Sequence, residues 1–215
     1  MPLEEIRPGL SRWTALHPDW TPEEGGPNGW DPEVASYLYE SADGAVLFDP
    51  LVDADDVWRA LDERVDGAQP PHVLLTLFWH VRSTPAVAAR YPGTRVWVHD
   101  RAPWIDETRK RVAVTDAFTL DDSLPAGIQA REPREVVYWI PEHRALVAGD
   151  VLLPDRRGGI RLCPWLGERM TAEQLRQNVR ALLDLPIELV LLTHGEAITN
   201  GGDALERALH APSAA

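Results

Sequence analysis

The chain has 215 residues, with 44% hydrophobic and 26% charged residues, which suits one domain with a full core, taken as residues 1–215. Its formal net charge of −13 argues against a nucleic-acid or anionic-membrane partner, because either surface would repel it. A single cysteine, Cys163, rules out an intramolecular disulfide, and its neighbours Leu162 and Pro164-Trp165 suit packing better than nucleophilic chemistry.

In chain order, residues 10–16 form a first expected strand, and His17-Pro18-Asp19-Trp20 reads as a turn. Residues 21–31 hold Pro22, Gly25, Gly26, Pro27 and Gly29, a long loop that with Trp20 and Trp30 suits a lid or packed cover. Two β-rich runs at 34–40 and 45–48 flank Ser41-Ala42-Asp43-Gly44, a hairpin signal. Asp53 is expected to open a helix to Val65, with Asp55 and Asp56 in its first turn and Val57, Trp58, Leu61 and Val65 at helical spacing.

A strand at 72–76 leads into the polar cluster around Trp79, His80 and Arg82. Then come a helix at 84–91 ended by Pro92-Gly93, a strand at 95–99, a helix near 102–111 and an irregular stretch at 119–124. Strands follow from residue 128, at 136–140 and at 145–148. Gly158-Gly159 and the Pro164-Trp165 region read as loop. Residues 171–185 form an amphipathic helix with Thr171 as N-cap, and a strand at 188–192 runs into Thr193-His194-Gly195 before a last helix at 202–209. No run approaches the roughly 20 apolar residues that span a bilayer. The N-terminus lacks the basic and apolar regions of a signal peptide, so a cytoplasmic location is expected.

Apolar strands thus end at Asp49, at residues 76–82, at Asp150 and at His194. Polar groups delivered from several strand ends to one rim make a site in layered α/β proteins. His80, Asp150 and His194 are the acid–base candidates, since imidazole and carboxylate exchange protons near neutral pH. Trp79 and Trp165 are expected pocket walls, and His17 and Asp19 candidates from the N-terminal loop. Each has a structural alternative: core packing or hydrogen bonding for His80, a salt bridge for Asp150, loop support for His194 and turn chemistry for His17 and Asp19. Asp49 is expected only to cap the turn that follows it.

These landmarks, in this order, resemble the metallo-β-lactamase fold superfamily. Residues 36–50 are similar to its opening hairpin and Asp-Pro turn, Leu74-Leu75-Thr76 to the strand before its H-x-H-x-D-H motif, and residues 133–140 to the strand after its third histidine. Leu146-Val147-Ala148-Gly149-Asp150 resembles its Gly-Asp strand end, and Leu191-Leu192-Thr193-His194-Gly195 its final His-Gly motif. The resemblance implies an αββα sandwich of two mixed sheets flanked by helices, and a hydrolytic centre with a pair of zinc ions.

This chain departs from that pattern. Aligned on Thr76, Leu77, Trp79, Val81 and Arg82 stand where the motif has its ligands, and Arg131 stands where the third-motif histidine would be. Only Asp150 and His194 keep ligand chemistry. The guanidinium groups of Arg82 and Arg131 are expected to replace metal charge beside Asp150 and to bind an anionic ligand. The implied protein is metal-free, with no cofactor, binding a small-molecule ligand or substrate or working by acid–base chemistry. Two alternatives stay open. One is an esterase, lactonase or thioesterase keeping one zinc ion on His80, Asp150 and His194; the other is a non-catalytic structural or interaction protein. A homodimer is compatible with all three.

Overall fold

The computed structural model describes residues 3–26, 29–65, 68–101, 103–155, 158–167 and 170–211. The chain forms two compact units, Met1–Asp19 with Glu33–Ile128, and Trp20–Pro32 with Gln129–Ala215.

The first unit is built on a seven-stranded mixed sheet of β1 (Glu4–Arg7), β2 (Leu10–Leu16), β3 (Glu33–Ser41), β4 (Gly44–Phe48), β5 (His72–Leu74), β6 (Arg95–His99) and β7 (Asp116–Phe118), in that spatial order. The strands are antiparallel through β4 and parallel from β4 to β7. The Asp43-Gly44 hairpin forms as the sequence indicates, with Gly44 at φ 110°, a conformation that a side chain disfavours. Three helices serve this unit: α1 (Asp55–Asp62), α2 (Thr84–Arg90) and α3 (Trp104–Arg109). Val57 and Leu61 of α1 pack into a core with Leu38, Leu47, Val73 and Val96. Helix α1 starts two residues later than the sequence suggests, because the Asp53 carboxylate accepts from the Leu16 amide at 3.3 Å instead of opening the helix.

The second unit holds β8 (Gln129–Arg131), β9 (Val137–Ile140), β10 (Ala145–Val147) and β13 (Leu189–Leu191) in a four-stranded sheet of order β13-β10-β9-β8, and a separate hairpin of β11 (Leu152–Pro154) and β12 (Ile160–Leu162). Here β10 and β13 are parallel and the other pairs antiparallel. Its helices are α4 (Ala172–Arg180) and α5 (Gly201–His210). Thr171 caps α4 in a reciprocal box with Gln174, and Leu175 and Val179 of that helix reach the core with Val137, Leu146 and Leu205. Among the described residues no helix is long and apolar enough to cross a membrane.

Candidate functional site

In the first unit the chain turns at the end of β4, and the turn depends on Asp49. Its φ of 45° lies in the left-handed region, which Asp tolerates better than most residues. Its backbone carbonyl accepts from Ser36 Oγ at 2.9 Å and from Arg82 Nη1 at 3.0 Å. Its carboxylate crosses to the end of β5: Oδ1 accepts from the Thr76 amide at 2.9 Å, and Oδ2 from the Thr76 hydroxyl at 2.6 Å. His80 completes the cluster, with Nδ1 3.0 Å from Asp49 Oδ2 and 2.8 Å from Thr76 Oγ1. Because the Thr76 hydroxyl gives its hydrogen to Asp49, the geometry fits an imidazole protonated at Nδ1.

His80 sits in a short 3-10 turn, Phe78–Val81, within the polar cluster that follows the expected strand. The turn buries His80 and Val81, with His80 only 3% exposed, and sends Trp79 outward, 41% exposed and edge-on to Phe78. Val81 joins the first unit's core, and Leu77 is buried as well. Arg82 closes the turn at φ 42°, an unusual conformation for a residue with a side chain.

In the second unit, Asp150 follows β10 and His194 follows β13, so the parallel pairing of these strands brings the two residues together. His194 Nε2 lies 3.4 Å from Asp150 Oδ1, at ion-pair distance, and each residue is 5% exposed. The Asp150 amide donates to Oε1 of Glu135, a carboxylate that is 0% exposed. Arg134 compensates this buried charge: Nη1 donates to Glu135 Oε2 at 3.1 Å and reaches Cys163 Sγ at 3.2 Å, while Nη2 donates to the Trp165 carbonyl at 2.6 Å. Burial pushes the Cys163 thiol up to about 11, which leaves it inert near neutral pH.

Beside His194 opens a cavity of about 280 Å3 whose lining includes Trp30, Asp31, Asp155 and Arg161. The Trp30 ring lies 5.0 Å from the His194 ring, tilted by 56°.

The residues singled out in the sequence are therefore distributed over both units. Asp150 and His194 meet. Arg131 turns elsewhere: Nη1 donates to the Ala130 carbonyl and Nη2 to Gln129 Oε1, and it has no ion pair with Asp150. Strand alternation explains this, since residues 129 and 131 share the more exposed face of β8 while Ala130 points inward. Trp165 packs on the core of its unit and is not in the cavity lining. The Asp19 amide donates to His17 Nδ1 at 3.3 Å, which is turn chemistry. Glu135, Trp30 and Arg161 join the site unforeseen. Trp30 had a signal in its Trp-bearing loop, whereas Glu135 and Arg161 look like ordinary surface charges in sequence.

A zinc pair needs several imidazole, carboxylate or thiolate donors around each ion. In neither unit do three or more such side chains gather among the described residues.

The chain has the metallo-β-lactamase-like fold, with mixed sheets flanked by helices. It is similar to DIM-1 metallo-β-lactamase exposed to ceftazidime, with a TM-score of 0.69 and 13% identity over 96% of both chains. It is also similar to a metallo-β-lactamase family protein from Thermus thermophilus (TM-score 0.60, 18% identity, 96% of this chain and 80% of that one). A third is FIM-1 metallo-β-lactamase from Pseudomonas aeruginosa in its mono-zinc form (TM-score 0.64, 14% identity, 97% of both chains). At these identities the likeness is one of fold. No family model matches the chain, and no curated protein matches it in sequence.

Proposed function

We propose that this chain is a metallo-β-lactamase-fold protein that binds a small ligand without a metal centre, and that the Asp150–His194 pair supplies acid–base chemistry to that ligand. The observation that carries the proposal is the position of His194, on the wall of the cavity with Nε2 toward a buried carboxylate. A carboxylate so placed orients the imidazole, which suits it to take up or deliver a proton.

The residues at the motif positions support the metal-free part. Leu77, Trp79 and Val81 have no ligand atom to offer zinc, and the guanidinium groups of Arg82 and Arg131 stay protonated and do not coordinate. His80, drawn toward Asp49 through Nδ1, takes a structural role, as does Trp165 in its core.

Two measurements test the proposal. Elemental analysis of protein purified from zinc-supplemented culture is expected to find metal well below one ion per chain; one or more tightly held ions per chain overturns the metal-free reading and favours a hydrolase with a single zinc ion. A small-molecule screen followed by tryptophan fluorescence is expected to yield ligands that bind His194→Ala about tenfold more weakly than the parent chain. Ligands that bind both proteins equally remove His194 from the site.

A further inference from the structure

The lining of the cavity beside His194 constrains the chemistry of what enters it. The volume of about 280 Å3 lies at the small end for ligand pockets, which run from about 300 to 1,000 Å3. One wall is the indole of Trp30, held at its edge: its Nε1 donates to Glu24 Oε2 at 3.2 Å, and its backbone carbonyl accepts from Trp20 Nε1 at 3.0 Å. The ring is thus a fixed plate. Arg161 is fixed too, with Nε donating to the Pro154 carbonyl at 3.2 Å and Nη2 to the Gly29 carbonyl at 3.1 Å. The Nη1 hydrogens of Arg161 make no hydrogen bond with the described residues. Asp31 and Asp155 are the two acidic residues of the lining.

We propose that this cavity takes a small cyclic polyol of the saccharide class. Ionised carboxylates only accept hydrogen bonds and a guanidinium only donates them, whereas a hydroxyl does both. A polyhydroxylated ring therefore satisfies Asp31, Asp155 and Arg161 together while its C–H face buries against Trp30. A simple carboxylate would satisfy Arg161 alone and face two like charges. A simple ammonium would meet the two aspartates and be repelled by Arg161. Where His194 acts on such a ligand, the assignment rests on the acid–base role proposed above, and a ring hydroxyl is the group whose proton it would handle.

The test uses the full chain and three panels of probes: monosaccharides and inositol, acetate and benzoate, and methylamine and guanidine. Binding is read by tryptophan fluorescence and by saturation-transfer NMR. At least one polyol is expected to bind, with affinity lowered about tenfold in Trp30→Ala and about fivefold in Asp155→Asn, while the denaturation midpoint of Asp155→Asn stays at the parent value. If carboxylates or amines bind in a His194-dependent way and polyols do not, the saccharide assignment falls and the reading of the cavity stands. If a polyol binds through Trp30 but ignores His194→Ala, the saccharide assignment stands and the acid–base role falls. Binding unaffected by Trp30→Ala, or no binding by any probe, overturns the assignment.

Discussion

The two units each bury an aspartate–histidine pair, and the pairs are built differently. In the first unit the Asp49 carboxylate is engaged by the Thr76 amide, the Thr76 hydroxyl and His80 Nδ1, and Arg82 and Ser36 hold its backbone carbonyl. In the second unit Asp150 meets His194 at 3.4 Å, Glu135 holds the Asp150 backbone from below, and His194 borders a cavity. The same two residue types thus serve as a knot that fixes a turn in one place and stand at the edge of a cavity in the other. The Asp49 carboxylate ties two strand ends together through Thr76, whereas the His194 imidazole lines a cavity.

The strongest way to break this contrast is to remove the support under the second pair. Glu135→Ala leaves the partly buried Arg134 without its carboxylate and the Asp150 amide without its acceptor, so a loss of about 3 kcal/mol in urea denaturation is expected. Glu135→Gln, which keeps an acceptor for the Asp150 amide, is expected to lose less. In the first unit, Asp49→Ala takes the acceptor from Thr76 and His80 and forces alanine into a left-handed conformation, for an expected cost of about 2–4 kcal/mol. Asp49→Asn, which tolerates that conformation and still accepts from Thr76, should recover about half. A loss below 1 kcal/mol for Asp49→Ala (roughly the worth of one hydrogen bond) would remove the knot from the comparison.

A smaller effect is expected at Gly195. Its φ of 108° disfavours a side chain, and an added Cβ would stand 3.2 Å from Pro154 Cβ. Gly195→Ala should cost about 1–3 kcal/mol, and because Pro154 lines the cavity it should also weaken ligand binding there.

The smallest expected effect is a pH dependence that neither pair causes. Burial, reinforced by the Arg95 charge, holds the half-buried His72 below its ordinary value of 6.5, and Trp97 Nε1 donates to its Nδ1 at 3.0 Å. Below pH 6.5 the unfolded chain therefore binds more protons at this residue than the folded chain does. The contribution to stability is complete above that pH and is lost as pH falls through the depressed folded value. Thermal melts at a series of pH values should show His72→Asn flattening this part of the profile; an unchanged slope would assign it to other groups.

The fold was legible because much of it is local chemistry. The Asp43-Gly44 turn, the alternation around it and the Thr171 cap all carry short-range signals, and strands β2, β3 and β4 and helix α4 form close to where those signals put them. The short β11–β12 hairpin was hidden, since Gly158-Gly159 reads as loop whether or not strands flank it. The site was legible at Asp150 and His194, each at a strand end with a recognisable neighbour. It was not legible at Asp49, whose cross-chain bonds to residues 76 and 80 leave no trace in its own segment. Nor was it legible at Glu135 and Arg134, where adjacent opposite charges look like surface and instead form an ion pair whose carboxylate is fully buried. Arg131 failed as a partner of Asp150 because strand alternation, which the spacing to Asp150 does not reveal, sets its face.

The turn at Phe78–Val81 limits what position 81 can carry. Val81 is part of an apolar core with Val57, Leu61 and Val87. A carboxylate introduced there would lose its water without gaining a partner, a cost of several kcal/mol even after proton uptake. An interior built on Val81 therefore admits a carboxylate at this position only at a marked loss of stability, so the turn tolerates changes at its exposed residues far better than at this one.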